Sequence, residues 1–449
     1  MTGNDRTHAG TLTRLLAVTL CALLLATPAF AGPADDAAKA EKERRWSDAA
    51  DAWAQVLEKK ATDRAAALGL ARTAIRAKAS DHYQAAEDSL RDMHDKNAKD
   101  VDVMVALGEI CLATSAAKQD TLAKKSYDVE AKQFFEKAIA ASPKSDGASG
   151  GLAQTYYQMG DFANAVKTVD EFLALKPEKP ARALFWKGQT LYLQARDAFT
   201  AGGNKLTPEA QDLFRKAQGA YQTSAMVGGD EPQTWIQLAY ASAYLGDIPT
   251  AGDAYRKAAV LDPNNRAPLT GLRSLYTHTP DKFVKVLTDL LAKNDKHVWA
   301  LWELADNRYR AQDWKKAREM YARYGEVVEG PGAANGYFAA GLCAAQQNDT
   351  KAAERLHFKA LAADPNHAQA AGAIQQMIMA SGAEQKSRKS VKDAQEVIKQ
   401  FEPLIKAAPD MAWIRNNLGF MLREAHGGGM RSGNGAQWLP ILKASTKVY

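Results

Sequence analysis

The chain has 449 residues, 46% of them hydrophobic, which is ample material for a buried core. With 58 basic against 52 acidic residues the net charge is +6, too mild and too evenly spread for a nucleic-acid-binding protein. A chain of this length ordinarily makes roughly two to four globular domains, but a period of about 34 residues runs along nearly all of it and predicts one repeated architecture instead.

Residues 1–31 differ from the rest. Arg6 and Arg14 precede an apolar run from Leu15 to Ala26, followed by Pro28 and Ala29-Phe30-Ala31. This is the pattern of a secretory signal with a small-x-small cleavage site, so a mature chain starting at Gly32 is expected. The apolar run is shorter than the roughly 20 residues a membrane span needs. Cys21 lies within that run behind Leu20, which does not suit a lipoprotein. Export across a bacterial inner membrane follows, to the periplasm or beyond.

From residue 32 onward the pattern is of helix pairs. Trp46, Ala49 and Trp53 mark the first unit, and Gly69, Tyr83 and Ala86 the next. Leu152, Ala153, Tyr156, Gly160-Asp161, Ala165 and Pro177 form a clearer one, with Pro143 34 residues before Pro177. The best unit runs from Pro232 to Asn265. Trp235, Leu238 and Ala239 lie on its first helix and Gly246-Asp247 in the turn. Ala251, Tyr255 and Ala258 lie on the second helix, before Asp262-Pro263. Spacings of three and four put these apolar residues on one face of each helix. Residues 266–297 match poorly and read either as a degenerate repeat or as a seam. Beyond them the pattern returns around Leu304, Ala305, Asp313-Trp314, Ala317 and Tyr321, then around Gly341, Asp349, Ala353, Ala360 and Asp364-Pro365. Trp413, Leu418, Gly419 and Leu422 open a last first helix; its partner, from Gln437 to Tyr449, is expected to be incomplete and to leave an apolar face exposed.

This succession of small residues where helices meet, large residues wedged between units, and a proline closing the second helix resembles the tetratricopeptide repeat. The resemblance implies an all-α fold, an α-solenoid of about ten to eleven stacked antiparallel helix pairs wound into a superhelix. The organisation expected is a signal at 1–31, an N-terminal array at 32–265, the degenerate repeat or seam at 266–297, and a C-terminal array at 298–449. Several units are longer than 34 residues, the surplus lying near 113–128, 196–210, 381–391 and 426–437. These segments are expected between first and second helices, along one edge, either as helix extensions without a role or as projections. Lysines such as Lys124, Lys125, Lys386 and Lys389 would then offer contacts to an anionic envelope polymer.

No phosphate loop, zinc-binding helix, nucleophile elbow or calcium loop is present, and the eight histidines lack ligand spacing. The glycine cluster at Gly427-Gly428-Gly429 and Gly433-Asn434-Gly435 reads as a flexible insert. Cys111 and Cys343 fall at packing positions and read as buried thiols. No enzyme activity, cofactor or metal is therefore expected. In the tetratricopeptide family the first helix of each pair lines a concave groove. The resemblance thus implies partner-binding positions at Tyr157, Phe185, Tyr192, Tyr240, Tyr244, Trp299, Trp302 and Tyr309, with packing between repeats the alternative role for each. Arg415-Asn416-Asn417 resembles part of the family's carboxylate clamp but has no counterpart in neighbouring units. The expected function is an exported scaffold holding a protein or peptide. Stacking of the same aromatics on envelope polysaccharide or peptidoglycan, or service as an accessory subunit of an envelope enzyme, are the alternatives.

Overall fold

Four of the hairpins are closed by the same local choices. A helix ends, one residue takes a left-handed conformation, and an aspartate then starts the next helix. Gly160, Gly246, Gln312 and Asn348 are those residues, with φ of 78°, 73°, 59° and 59°. Asp161, Asp247, Asp313 and Asp349 follow them, and each carboxylate accepts from the amide three residues on, at 3.1, 3.2, 3.3 and 3.1 Å. Each such cap contributes about 1 kcal/mol to the helix it opens, so the turn fixes the hairpin before any tertiary packing.

The computed structural model describes residues 32–228, 231–383 and 390–431. The secretory signal expected at 1–31 and the final helix expected at 437–449 lie outside the described residues. Among the described residues, twenty-one α-helices and no strands are present. The chain divides at 229/230 into two compact units. The first holds α1 (Pro33–Lys42), α2 (Trp46–Lys59), α3 (Arg64–Ala77), α4 (Tyr83–Lys96), α5 (Val101–Ala117), α6 (Thr121–Ala141), α7 (Asp146–Gln158), α8 (Phe162–Ala174), α9 (Ala181–Ala201) and α10 (Pro208–Gly228). The second holds α11 (Pro232–Tyr244), α12 (Ile248–Leu261), α13 (Ala267–Leu275), α14 (Pro280–Lys293), α15 (Val298–Arg310), α16 (Trp314–Val327), α17 (Gly330–Gln346), α18 (Thr350–Ala363), α19 (Ala368–Ala380), α20 (Val391–Ala407) and α21 (Ala412–Arg431). Paired in order they make ten antiparallel hairpins, with α21 the first helix of an eleventh.

Packing repeats as the sequence does. Phe135 on α6 wedges between Gly108 of its own repeat and Gly151 of the next; a Cβ on Gly108 would lie 2.6 Å from the ring. Tyr221 on α10 meets Gly188 in the same way, at 2.7 Å. Both rings are fully buried. An aromatic ring buried against a bare backbone removes some of the largest apolar area a single residue can offer, worth roughly 1.5–3 kcal/mol. One core gathers Leu70, Leu90, Ile110, Phe134 and Phe135 in the first unit; another gathers Ile374, Phe401, Leu404, Ile414 and Leu418 in the second. Cys111 and Cys343 are buried free thiols; desolvation raises both, Cys343 to about 11.

The surplus residues near 113–128 and 196–210 are largely helix extensions, one of the two forms expected of them. They lengthen α5 and α6 to 17 and 21 residues and α9 and α10 to 21 each. The flexible insert expected at the glycine cluster is corrected in its first part, where α21 continues through Gly427-Gly428-Gly429 to Arg431; Gly433-Asn434-Gly435 lies outside the described residues. Most of the third segment, 384–389, lies outside the described residues. Residues 266–297 form a hairpin whose first helix, α13, has only nine residues.

Candidate functional site

The aromatic positions expected to bind a partner fall on first helices, and the structure joins them to rings that sequence reasoning did not single out. In the first unit Tyr157 on α7 lies 6.0 Å from Phe162 and 5.4 Å from Trp186, ring centre to ring centre. Phe185 meets Trp186 at 5.4 Å and Tyr221 at 6.0 Å, so five rings form a continuous chain across α7 to α10. Tyr192 stacks edge-on to Phe214 at 5.6 Å. Trp186 is the link that was missed; it neighbours Phe185 on α9 but faces the preceding repeat, a position with no mark in the repeat pattern.

In the second unit Tyr240 packs edge-on to Tyr255 at 5.9 Å, while Tyr244 is exposed. The densest group lies on α15. Trp302 stands between Tyr321 and Tyr324 of α16, at 5.2 and 5.0 Å, and both tyrosines are buried. Tyr309 meets Trp314 at 5.0 Å and Tyr321 at 6.5 Å. Trp299 is half-buried; its indole Nε1 donates to the Asn264 carbonyl at 2.7 Å and the Arg266 guanidinium lies 4.9 Å over its ring.

Around these rings is a charged set that the repeat pattern did not announce. Glu303 on α15, its side chain 1% exposed, accepts from Arg266 at 3.4 Å and pairs with Arg273 of α13. Asp306, one turn on, pairs with Arg310 at 3.0 Å. Burial pulls the Arg273 guanidinium down from its ordinary value, against the opposing pull of Asp306, and it remains a cation at neutral pH. Three guanidinium groups therefore share two carboxylates on one surface. Arginine over tryptophan, with neighbouring rings half-exposed, is the side-chain set enriched in binding hot spots.

The first unit has a counterpart with less aromatic area. Pro180 precedes α9 and gives it no side-chain cap; Asp146 of α7 supplies one across the repeat boundary, accepting from the Arg182 and Ala183 amides at 2.8 and 2.9 Å. Burial raises the Asp146 carboxyl above its ordinary value, and those two amides oppose the shift without cancelling it. Arg182 in turn donates to Glu109 of α5 and, at 3.2 Å, to Gln154 of α7. Glu109 and Gln154 each follow the small packing residue of their helix, Gly108 and Ala153, so this row was readable in principle from the period.

Among the described residues no group of three or more His, Cys, Asp or Glu side chains converges as a metal site, and no helix is long and apolar enough to cross a membrane.

An all-α stack of helix hairpins with polar and aromatic side chains on successive first helices defines a helical-repeat solenoid. Two tetratricopeptide-repeat family models match, over residues 129–184 and 289–368, and the chain is a tetratricopeptide-repeat protein, a class of protein-interaction scaffolds. No curated protein matches it. Among solved structures it is similar to a thermophilic tetratricopeptide-repeat protein of Thermus thermophilus, at 15% identity and a TM-score of 0.37, over 47% of this chain and 97% of that one. It is also similar to PilF of Pseudomonas aeruginosa, at 15% identity and 0.31, over 61% and 97%. A third is yeast Tom70, at 14% identity and 0.28, over 92% and 98%. At these values the likeness is one of repeat architecture alone.

Proposed function

We propose that this protein is an exported scaffold of the cell envelope that holds a segment of another protein along its first helices, with the α13–α15 surface as the principal contact. The observation that carries the reading is the group on α15: Trp299, Trp302 and Tyr309 in helical register, flanked by Arg266, Arg273 and Arg310 with only Glu303 and Asp306 to balance them. An excess of guanidinium beside half-exposed rings suits a peptide or helix carrying acidic and apolar residues, because each acidic side chain gains charge-assisted bonds from a fork that is already oriented. Within the second unit Tyr240 and Tyr244 extend the contact to α11, and Tyr157, Phe185 and Tyr192 offer a separate set of contacts within the first unit.

A protein partner is favoured over a glycan by the state of the two tryptophans. Arg266 covers one face of Trp299, and Trp302 is committed to Tyr321 and Tyr324. Both rings therefore have packing or cation partners already, which suits them less to sugar stacking than to a peptide that also meets the neighbouring arginines. Export rests on the charged, then apolar, then small-x-small order of residues 1–31.

Tagged protein recovered from cells after in-cell crosslinking tests both parts. The reading expects the protein in the periplasmic fraction with Gly32 at its N-terminus, crosslinked through residues introduced at Arg310 and Tyr309 to a protease-sensitive partner. An intact N-terminus in the cytosol overturns the location, and a protease-resistant, carbohydrate-positive adduct overturns the partner class.

A further inference from the structure

The hairpin of α5 and α6 starts as its neighbour does and ends further out. α5 has 17 residues and α7 has 13, and each begins directly after a side-chain cap, Asp100 and Ser145. Their packing residues, Gly108 and Ala153, stand at the same distance from those caps. The surplus therefore lies at the far end of α5 and carries the turn about 6 Å past the level of the next one, at about 1.5 Å per residue.

This tip presents an apolar side chain to solvent. Leu122 is 77% exposed, more than any other large hydrophobic residue among those described, and Val129, two turns on along the same face of α6, is 46% exposed. One exposed leucine is ordinary, but here it stands in a local excess of positive charge. Lys118, Lys124 and Lys125 are all exposed at the tip. The nearby carboxylates are occupied: Asp120 accepts from the Ala123 amide at 2.7 Å, Asp128 is buried and accepts from the Ser115 hydroxyl at 2.6 Å, and Glu130 accepts from Arg91 at 2.7 Å. The adjacent turn before α4 adds one cation, Lys78, and one carboxylate, Asp81, so it leaves the balance unchanged.

A projecting apolar point among lysines offers no groove to a peptide. Leu122 and Val129 also supply little of the roughly 800 Å² that each partner gives to a specific protein interface. A soft anionic surface suits it better: the leucine enters at headgroup level while the lysine stems lie along it and hold their ammonium groups at the phosphates. We propose that the α5–α6 tip docks this protein reversibly on an anionic lipid bilayer, with Leu122 inserted and Lys118, Lys124 and Lys125 against the lipid phosphates. The first unit makes this contact alone, and the proposal stands whether or not the α13–α15 surface binds a peptide.

Vesicle flotation tests it, using the chain from Gly32 onward, which holds every described helix and lacks the apolar run that would itself bind lipid. Vesicles containing phosphatidylglycerol should carry the protein at low salt and release most of it at high salt, and vesicles of phosphatidylcholine alone should carry little. Replacing Lys118, Lys124 and Lys125 together by glutamine should weaken binding about a hundredfold, at about fivefold for each lysine. Leu122→Ser should weaken it about tenfold. All four side chains are exposed, so the melting temperature is expected to stay unchanged in both variants. Arg310→Gln, on the α13–α15 surface, should bind lipid as the wild type does. Absence of binding to the phosphatidylglycerol vesicles overturns the proposal, as does undiminished binding by the lysine variant or an equal loss in Arg310→Gln. Undiminished binding by Leu122→Ser would mean attraction through charge alone, which a soluble polyanion satisfies equally, and would overturn the assignment to a bilayer.

Discussion

His357 on α18 packs against Gly341 of α17, in the place that Phe135 takes against Gly108 and Tyr221 against Gly188. It is a titratable ring in an aromatic socket. The imidazole is 2% exposed, lies 5.4 Å from the Phe338 ring, and has a buried Nδ1 with no partner. Desolvation, with a smaller contribution from His367 on the far side of Phe338, lowers its pKa to about 4. In the unfolded chain it titrates near 6.5, so between those values the unfolded state binds the extra proton. Stability is then complete above pH 6.5 and falls as pH drops towards 4, by at most about 3 kcal/mol. The His297 imidazole, also lowered by burial, acts in the same direction. Urea denaturation at pH 7 and pH 5 should show the loss, and His357→Phe should remove most of it. An unchanged pH dependence in that variant would falsify the assignment.

Glycine at the helix crossings carries a cost that can be measured against glycine in the turns. A Cβ at Gly151 would run into the Phe135 ring, which is pinned from the other side by Gly108. Gly151→Ala is therefore expected to cost roughly 1–3 kcal/mol by overpacking, and Phe135→Leu in the same chain should recover part of it. At Gly160 the space is open but φ is 78°, so Gly160→Ala incurs only backbone strain, roughly 1 kcal/mol. Guanidinium melts of the two single variants and the double variant check the order. Equal costs at 151 and 160 would show that crowding at Phe135 is relieved by movement of the helices.

Much of the fold was legible because the turn and the crossing use residues with few substitutes. Gly160-Asp161 and Gly246-Asp247 announce a left-handed residue followed by a cap, and Gln312 and Asn348 fill the same place with residues that carry no such mark. The segments near 113–128 and 196–210 read as insertions because they exceed the period. The first is rich in alanine and lysine, good helix formers; in the second, Arg196 to Ala201 prolong α9 and Pro208 opens α10, with Gly202-Gly203-Asn204 in the turn between them. The candidate site was less legible. The tryptophans of α15 stand out by residue type, but Glu303 is one acidic residue among many, and Arg266 and Arg273 belong to the repeat with the weakest match. Only the fold brings them to one carboxylate.

That carboxylate provides a sharp test of what holds α13 to α15. Removing one arginine leaves Glu303 with the other, so Arg266→Ala and Arg273→Ala should each be mild, the more so because both guanidinium groups are partly exposed. Removing both leaves a buried anion with no counterion, and the double variant should lose about 3–5 kcal/mol. Adding Glu303→Leu to the double variant should restore most of that stability, since an apolar residue of similar size needs no partner. Chemical denaturation of the four chains decides it. A double variant no worse than the sum of its singles would mean that water, and not the arginine pair, compensates Glu303.

Trp299 and Trp302 stand three residues apart on α15, yet their surroundings predict different outcomes on truncation. Trp302 fills the space between Tyr321 and Tyr324 and adjoins the core formed by Ala305, Ala317, Tyr321 and Ala340. Its replacement by alanine leaves a cavity among buried rings and should cost about 3–5 kcal/mol. Trp299 is half-buried: one hydrogen bond to the Asn264 carbonyl and the Arg266 guanidinium over its face hold it near the surface, and its ring reaches Tyr324 only at 6.3 Å. Trp299→Ala should therefore cost clearly less stability, while removing an aromatic anchor worth about 2 kcal/mol or more to partner binding. Trp302→Phe, which keeps most of the packed ring, separates folding from binding at that position. Melting temperatures of the three variants, with recovery of the crosslinked partner from the same cells, give both readouts. If Trp299→Ala destabilised the chain as much as Trp302→Ala and left partner recovery intact, Trp299 would belong to the packing between α12 and α15, and the binding surface would have to lie along the arginines alone.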